Sequence, residues 1–249
     1  MRDESGRLAR ADGVELAWKR IAGAGPTIVF LPGFRSDMEG SKAVFLAEVA
    51  EARGHALLRL DYSGHGVSGG RFEDGSIGIW TADALAVIDA TTAGPLILVG
   101  SSMGGWIGLN IALARPDRVV AYIGIAAAPD FTESLIWAQM PPAIQARLME
   151  EGVVYAPSDY GDPLPLTRRL IEDGRRHLLL DKPIPLTCPL RLLQGQEDAE
   201  VPWQTALAIA ERVESRDVRV TLIKDGDHRL SRESDLSLLQ ERVAEFLPG

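Results

Sequence analysis

At 249 residues, 46% apolar and 24% charged, the chain has the length and balance of one large globular domain or two small ones, not of a disordered or fibrous protein. A formal net charge of −9 sets it against nucleic acid and anionic membrane surfaces as partners. Its one cysteine, Cys188, excludes an intrachain disulfide and fits a reducing compartment.

The first residues, Met1 to Arg7, are polar and carry neither the apolar core of a signal peptide nor the pattern of a transit peptide. No apolar run reaches transmembrane length. A cytoplasmic protein without integral membrane association is therefore expected. Val14 to Trp18 alternates and predicts an edge strand. Ala24-Gly25-Pro26 turns into Thr27 to Leu31, a continuous apolar run of buried-strand type that Pro32-Gly33-Phe34 ends. Ser41 to Arg53 has helical spacing and stops at Gly54. Ala56 to Leu60 predicts the next strand, which runs into the glycine-rich loop Asp61 to Gly70. That loop lacks both phosphate-binding glycine patterns, so it is read as a tight turn, with His65 structural or lining a site.

Ile77 to Thr92 predicts a helix with a broad apolar face. The run Pro95 to Val99 then leads into Gly100-Ser101-Ser102-Met103-Gly104-Gly105 and a helix over Met103 to Ala114, apolar nearly all round. Arg115-Pro116 ends that helix and Val119 to Ala126 predicts another buried strand. From Pro129 to about Thr187 the alternation stops. Prolines recur among the short amphipathic pieces Glu133–Gln139, Ala143–Glu151 and Leu166–Asp173. The pattern resumes with a strand over Pro189–Gly195, a helix over Trp203–Val213, a strand over Val218–Ile223 and a closing helix over Leu236–Leu247. This predicts one α/β domain, residues 1–249, with a mostly parallel sheet, helices on both faces and a mostly helical lid inserted at 130–187.

Strand, G-x-S-x-G and helix together form the pattern of a nucleophile elbow, although a plain glycine-rich turn has the same spacing. A serine hydroxyl needs a base, and the base needs an orienting acid. In this arrangement the acid and then the histidine follow the serine in the chain. Of the four histidines, only His177 and His228 follow Ser102. His228 lies between the last predicted strand and the last helix, at the sheet edge where ligands bind; His177 lies in the insertion. The acid belongs after the strand ending at Gly195. Asp198 is placed in the turn before Pro202, with Glu197 the runner-up and Glu200 a third candidate. Asp225 and Asp227 read as solvated loop acids. Two backbone N–H groups, of Phe34 and Met103, are the candidate oxyanion hole. Cys188 reads as a structural thiol. There is no H-E-x-x-H and no Cys/His cluster, so no metal or other cofactor is implied.

With these residues placed, the chain resembles the α/β-hydrolases. It is similar in particular to the mitochondrial abhydrolase-10 enzymes, palmitoyl-protein thioesterases and acyl-glucuronide esterases, and to their bacterial relatives. The likeness rests on Leu31-Pro32-Gly33-Phe34, Asp61-Tyr62-Ser63-Gly64, Gly100 to Trp106, Ala114-Arg115-Pro116, Cys188 to Leu193, Val201-Pro202-Trp203 and Asp227-His228-Arg229. It implies Ser102 as nucleophile, Asp198 as acid and His228 as base. The expected function is cleavage of a carboxylic ester or thioester, from a small molecule or an acylated protein. A peptidase, a carbon–carbon hydrolase and a non-catalytic binding protein are the alternatives. Trp137, Met140 and Ile144, with Leu135, Ile136 and Leu148, are candidates for an acyl channel, packing of the insertion onto the core being the other role. Arg168, Arg169, Arg175 and Arg176 are candidates for reading a substrate carboxylate or are a solvated helix face.

Overall fold

A computed structural model describes residues 3–157 and 163–248; residues 158–162 of the expected insertion lie outside this range, as do the first two residues and the last. Among the described residues the strands are β1 (Asp3–Ala9), β2 (Glu15–Ile21), β3 (Ala24–Leu31), β4 (His55–Leu60), β5 (Leu96–Ser101), β6 (Val119–Ile125), β7 (Val153–Ala156), β8 (Leu164–Thr167), β9 (Leu190–Gly195) and β10 (Val218–Ile223). The helices are α1 (Ser41–Arg53), α2 (Ile77–Thr91), α3 (Met103–Ala114), α4 (Pro142–Glu151), α5 (Arg168–Gly174), α6 (Gln204–Arg212) and α7 (Glu233–Ala244).

Eight strands form one sheet in the order β1-β2-β4-β3-β5-β6-β9-β10. β1 and β2 are antiparallel to their neighbours, and from β4 across to β10 all pairs are parallel. The apolar runs supply both faces because successive side chains point to opposite sides. Val29, Leu31, Leu58, Leu60, Leu96 and Leu98 face one core with α2, α3 and α6. Ile28, Phe30, Leu57, Ile97 and Val99 face the other, with α1 and α7. Gly54, at φ +75°, ends α1 and turns the chain directly into β4.

One expectation needs correction and another an addition. β2 is not an edge strand: β1 pairs along its whole length and takes the edge. The outer strand hides in the sequence because its side chains from Glu4 to Ala9 are exposed or half-buried, so it needs no apolar pattern. Gly6 lies opposite Trp18, and a Cβ there would come within 2.5 Å of the indole. The insertion is mostly helical and also carries strands. It holds a π-turn (Thr132–Trp137), α4, α5 and an antiparallel β7–β8 pair, in which Pro165 sits opposite Tyr155. The pieces share a small core of Leu148, Val154, Leu166 and Ile171. One set of bonds closes the insertion at its base and another holds it to the main domain. Asp130 accepts from the backbone N–H groups of Leu179 and Leu180, both at 2.8 Å, and Trp106 Nε1 donates to the His177 carbonyl at 3.0 Å.

His65 is structural. It is 3% exposed and ringed by Tyr62, Phe72 and Trp80 at centroid distances of 5.0–5.5 Å. Burial pushes its pKa down to about 4, against smaller opposing effects from the Ser63 carbonyl and Asp83. Between pH 6.5 and 4 the unfolded chain therefore takes up a proton that the folded chain refuses, and stability falls as pH falls through that window. Urea unfolding at pH 7 and pH 4.5 should show wild type losing about 2.5 kcal/mol more than His65→Gln on acidification. Equal losses in the two proteins would contradict this account.

Candidate active site

The elbow is set by close backbone packing. A Cβ on Gly104 would lie 2.0 Å from the Leu31 carbonyl oxygen, and one on Gly100 2.3 Å from that of Gly104. Only glycine lets α3 cross β3 and β5 this closely. Between them Ser102 is held at φ +54°, ψ −119°, a conformation that a non-glycine residue adopts only under local constraint. The constraint is visible: Ser102 N–H donates to the Ile125 carbonyl at 2.9 Å, and its own carbonyl accepts from Gly105 and Ala128. The hydroxyl is thereby lifted to the carboxyl edge of the sheet.

His228 reaches that edge from the loop between β10 and α7. Its Nε2 is 3.1 Å from Ser102 Oγ and its Nδ1 2.9 Å from Asp198 Oδ2. The imidazole is 16% exposed and the carboxyl 0%. Burial opposes the charge on Asp198, but the hydrogen bond from His228 and those from the Val201 and Glu200 N–H groups outweigh it and hold the carboxyl below its usual range. Of the candidate acids, Asp198 meets the histidine at Nδ1. Glu197 is exposed, while Asp225 pairs with Arg232 and Asp227 caps Leu230 N–H in its own loop. His177 lies beside Asp173, 3.7 Å away, in the insertion.

Two supporting residues escaped the sequence reading. Gln194, fully buried at the end of β9, donates through Nε2 to Asp198 Oδ2 at 2.9 Å and to the Val201 carbonyl at 3.2 Å. Both partners are acceptors, so the amide orientation is determined, and its Oε1 is left buried without a partner. A polar residue closing an otherwise apolar strand was the available signal. Lys42, on α1, donates to the Arg229 carbonyl and to Ser231 Oγ, bracing the loop next to His228. Burial pushes its pKa down to about 8, with nearby Arg229 acting in the same direction and Asp227 and Asp235 against it.

Gly33 packs beside the serine: a Cβ there would sit 3.4 Å from Ser102 Cβ. This brings the Phe34 turn next to Ser102, and the Phe34 ring lies among Phe72, Trp80 and Phe131. Met103 is the first residue of α3, so its N–H has no partner in the preceding helical turn and lies at the positive end of the helix. Trp137, Met140 and Ile144 are half-buried and pack on the insertion's own core, with the Arg175 guanidinium 4.7 Å above the Trp137 ring. The insertion arginines are engaged: Arg175 with Glu133, Arg176 with Asp173, Arg168 with the Met149 carbonyl and Arg169 with that of Asp74.

A family model described as the alpha/beta hydrolase family matches residues 28–241. The chain belongs to that family. Within it, this alpha/beta hydrolase is 43% identical over 242 residues to the human mitochondrial palmitoyl-protein thioesterase ABHD10, covering 96% of this chain and 79% of the relative. Among solved structures it is similar to a putative hydrolase from Agrobacterium vitis S4, with TM-score 0.95, 39% identity and full coverage of both chains. It is also similar to alpha/beta hydrolase domain-containing protein 10 from mouse, with TM-score 0.90, 41% identity and 97% of each chain covered. Among the described residues of this alpha/beta hydrolase, no helix is long and apolar enough to cross a membrane.

Proposed function

We propose that the protein hydrolyses carboxylic thioesters or esters through an acyl-enzyme, as a palmitoyl-protein thioesterase-like serine hydrolase. The observation that carries this reading is the unbroken hydrogen-bonded line Ser102–His228–Asp198 at the mouth of the elbow. In the first step His228 Nε2 takes the hydroxyl proton as Ser102 Oγ bonds to the acyl carbon. The oxygen that becomes negative is met by the N–H groups of Phe34 and Met103, each such donor contributing about 10²–10³ in rate. His228 Nε2 then hands its proton to the departing sulfur or oxygen as that bond breaks. In the second half His228 draws a proton from water, hydroxide adds to the acyl carbon, and the proton returns to Ser102 as the acid leaves. Asp198 holds the imidazole tautomer throughout and balances the imidazolium charge.

The acyl chain is assigned to apolar residues of the insertion, with Trp137, Met140 and Ile144 as its contacts and residues 130–187 acting as the lid. The identity with human ABHD10 supports the thioesterase reading. The single cysteine supports a reducing, cytoplasmic setting, whereas the ABHD10 relatives are mitochondrial. A fluorophosphonate probe tests the central claim. The probe is expected to label wild type and not the folded Ser102→Ala variant; wild-type protein that stays unlabelled, or equal labelling of both, would remove the serine mechanism.

A further inference from the structure

A second carboxylate faces His228 from the side opposite Asp198. Glu200 Oε2 lies 3.5 Å from His228 Nε2, the same nitrogen that meets Ser102 Oγ. Its backbone is fixed: the Glu200 N–H donates to Asp198 Oδ1 at 2.9 Å, and the Val201 N–H donates to the same oxygen at 2.8 Å. The side chain is 55% exposed, so its carboxylate is in water beside the nitrogen that meets Ser102. Among the described residues its ion-pair partner is His228 alone. Asp198 is already the orienting acid, so the triad does not use this carboxylate.

The chemistry of acyl transfer says what occupies the space beside it. The group that departs from the acyl carbon must come within hydrogen-bond reach of His228 Nε2 to receive its proton. That places the leaving alcohol or thiol roughly 6–7 Å or less from the Glu200 carboxylate, a range over which two charges in a half-solvated site interact appreciably. The nearby Lys42 donates to the Arg229 carbonyl and to Ser231 Oγ. The overall charge of −9 adds to the same field.

We propose that Glu200 is a specificity-determining residue, turning the enzyme against esters and thioesters whose leaving group is anionic and toward those whose leaving group is neutral or cationic. This inference rests on the acyl-enzyme reading above. Acyl glucuronides and acyl-coenzyme A carry their negative charge on the leaving side and are disfavoured. An acylated cysteine flanked by basic residues is favoured.

The test uses three phenyl esters of one hexanoyl group, with a 3-carboxylate, a 3-carboxamide or a 3-trimethylammonium substituent on the ring. kcat/KM is measured for wild type, Glu200→Gln, Glu200→Lys and Ser102→Ala. In Glu200→Gln the carboxylate-to-carboxamide ratio of kcat/KM is expected to rise about three- to tenfold, and the trimethylammonium-to-carboxamide ratio to fall by a similar factor. Glu200→Lys should enlarge both shifts, and salt should shrink them, which loss of a purely structural contact would not produce. Ratios that stay at wild-type values in both variants overturn the role of Glu200 while leaving the serine mechanism standing. If wild type fails to cleave the carboxamide ester, or Ser102→Ala cleaves it as fast, the acyl-enzyme reading falls and Glu200's role with it.

Discussion

Replacing Asp198 with asparagine is expected to lower kcat by about 10⁴-fold while leaving the protein folded. The size follows from how the carboxylate is held. Oδ1 accepts from two backbone N–H groups, those of Glu200 and Val201, so an asparagine must put its carbonyl oxygen there. Its NH₂ is then forced toward His228 Nδ1. An imidazole that accepts at Nδ1 carries its proton at Nε2 and cannot take one from Ser102. Kinetics with a p-nitrophenyl ester and circular dichroism on the same samples check the prediction. A loss below about 30-fold in a folded variant would show that the tautomer does not limit the reaction.

A single methyl group at Gly104 should produce the largest stability loss of any alanine substitution at the elbow. The new Cβ would lie 2.0 Å from the Leu31 carbonyl oxygen and 2.5 Å from that of Pro32, backbone atoms at the end of β3 and just beyond it. Neither can rotate away, so α3 must shift off β3, a helix buried among the largest side chains of the core. The expected cost of Gly104→Ala is about 3 kcal/mol or more, lowering the thermal midpoint by roughly 6–12 °C. Gly40→Ala is the matched control: its Cβ would meet Asp37 O and Ser36 Oγ at 3.5 Å, ordinary contact, and its φ of −60° suits alanine. Similar midpoints for the two variants would refute the packing argument.

Much of the site could be read before the fold was known, because its parts are punctuated by the physics that forms them. The apolar runs of β5 and β9 are strands buried on both faces, each ending where a glycine or a polar residue meets the open edge of the sheet. Ser102 and Asp198 follow those ends and His228 follows the outer strand β10, so their order in the chain already places them on one edge. What escaped reading was structure without an apolar signature. β1 is an outer strand with exposed side chains, and β7 and β8 are four residues each, with Pro165 inside one of them. Short strands at a free edge tolerate proline and polar residues, and they leave no periodicity to find. The π-turn at Thr132–Trp137 keeps a spacing close to that of an α-helix, and the two cannot be told apart from composition. Lys42 was invisible for another reason: its partners Arg229 and Ser231 lie far away in the chain, and only folding brings them together.

The carboxylate of Asp130 holds Leu179 and Leu180, so the polypeptide leaves the sheet and returns to it through one narrow gate. Everything between is an excursion whose two stems stand side by side. Such a segment can be lengthened, shortened or exchanged for another without asking the strands to move, since its ends already meet. The serine, histidine and aspartate all stand outside it. The candidate triad and the insertion are thus separate in the chain, so a change of length within the insertion leaves the line Ser102–His228–Asp198 in place.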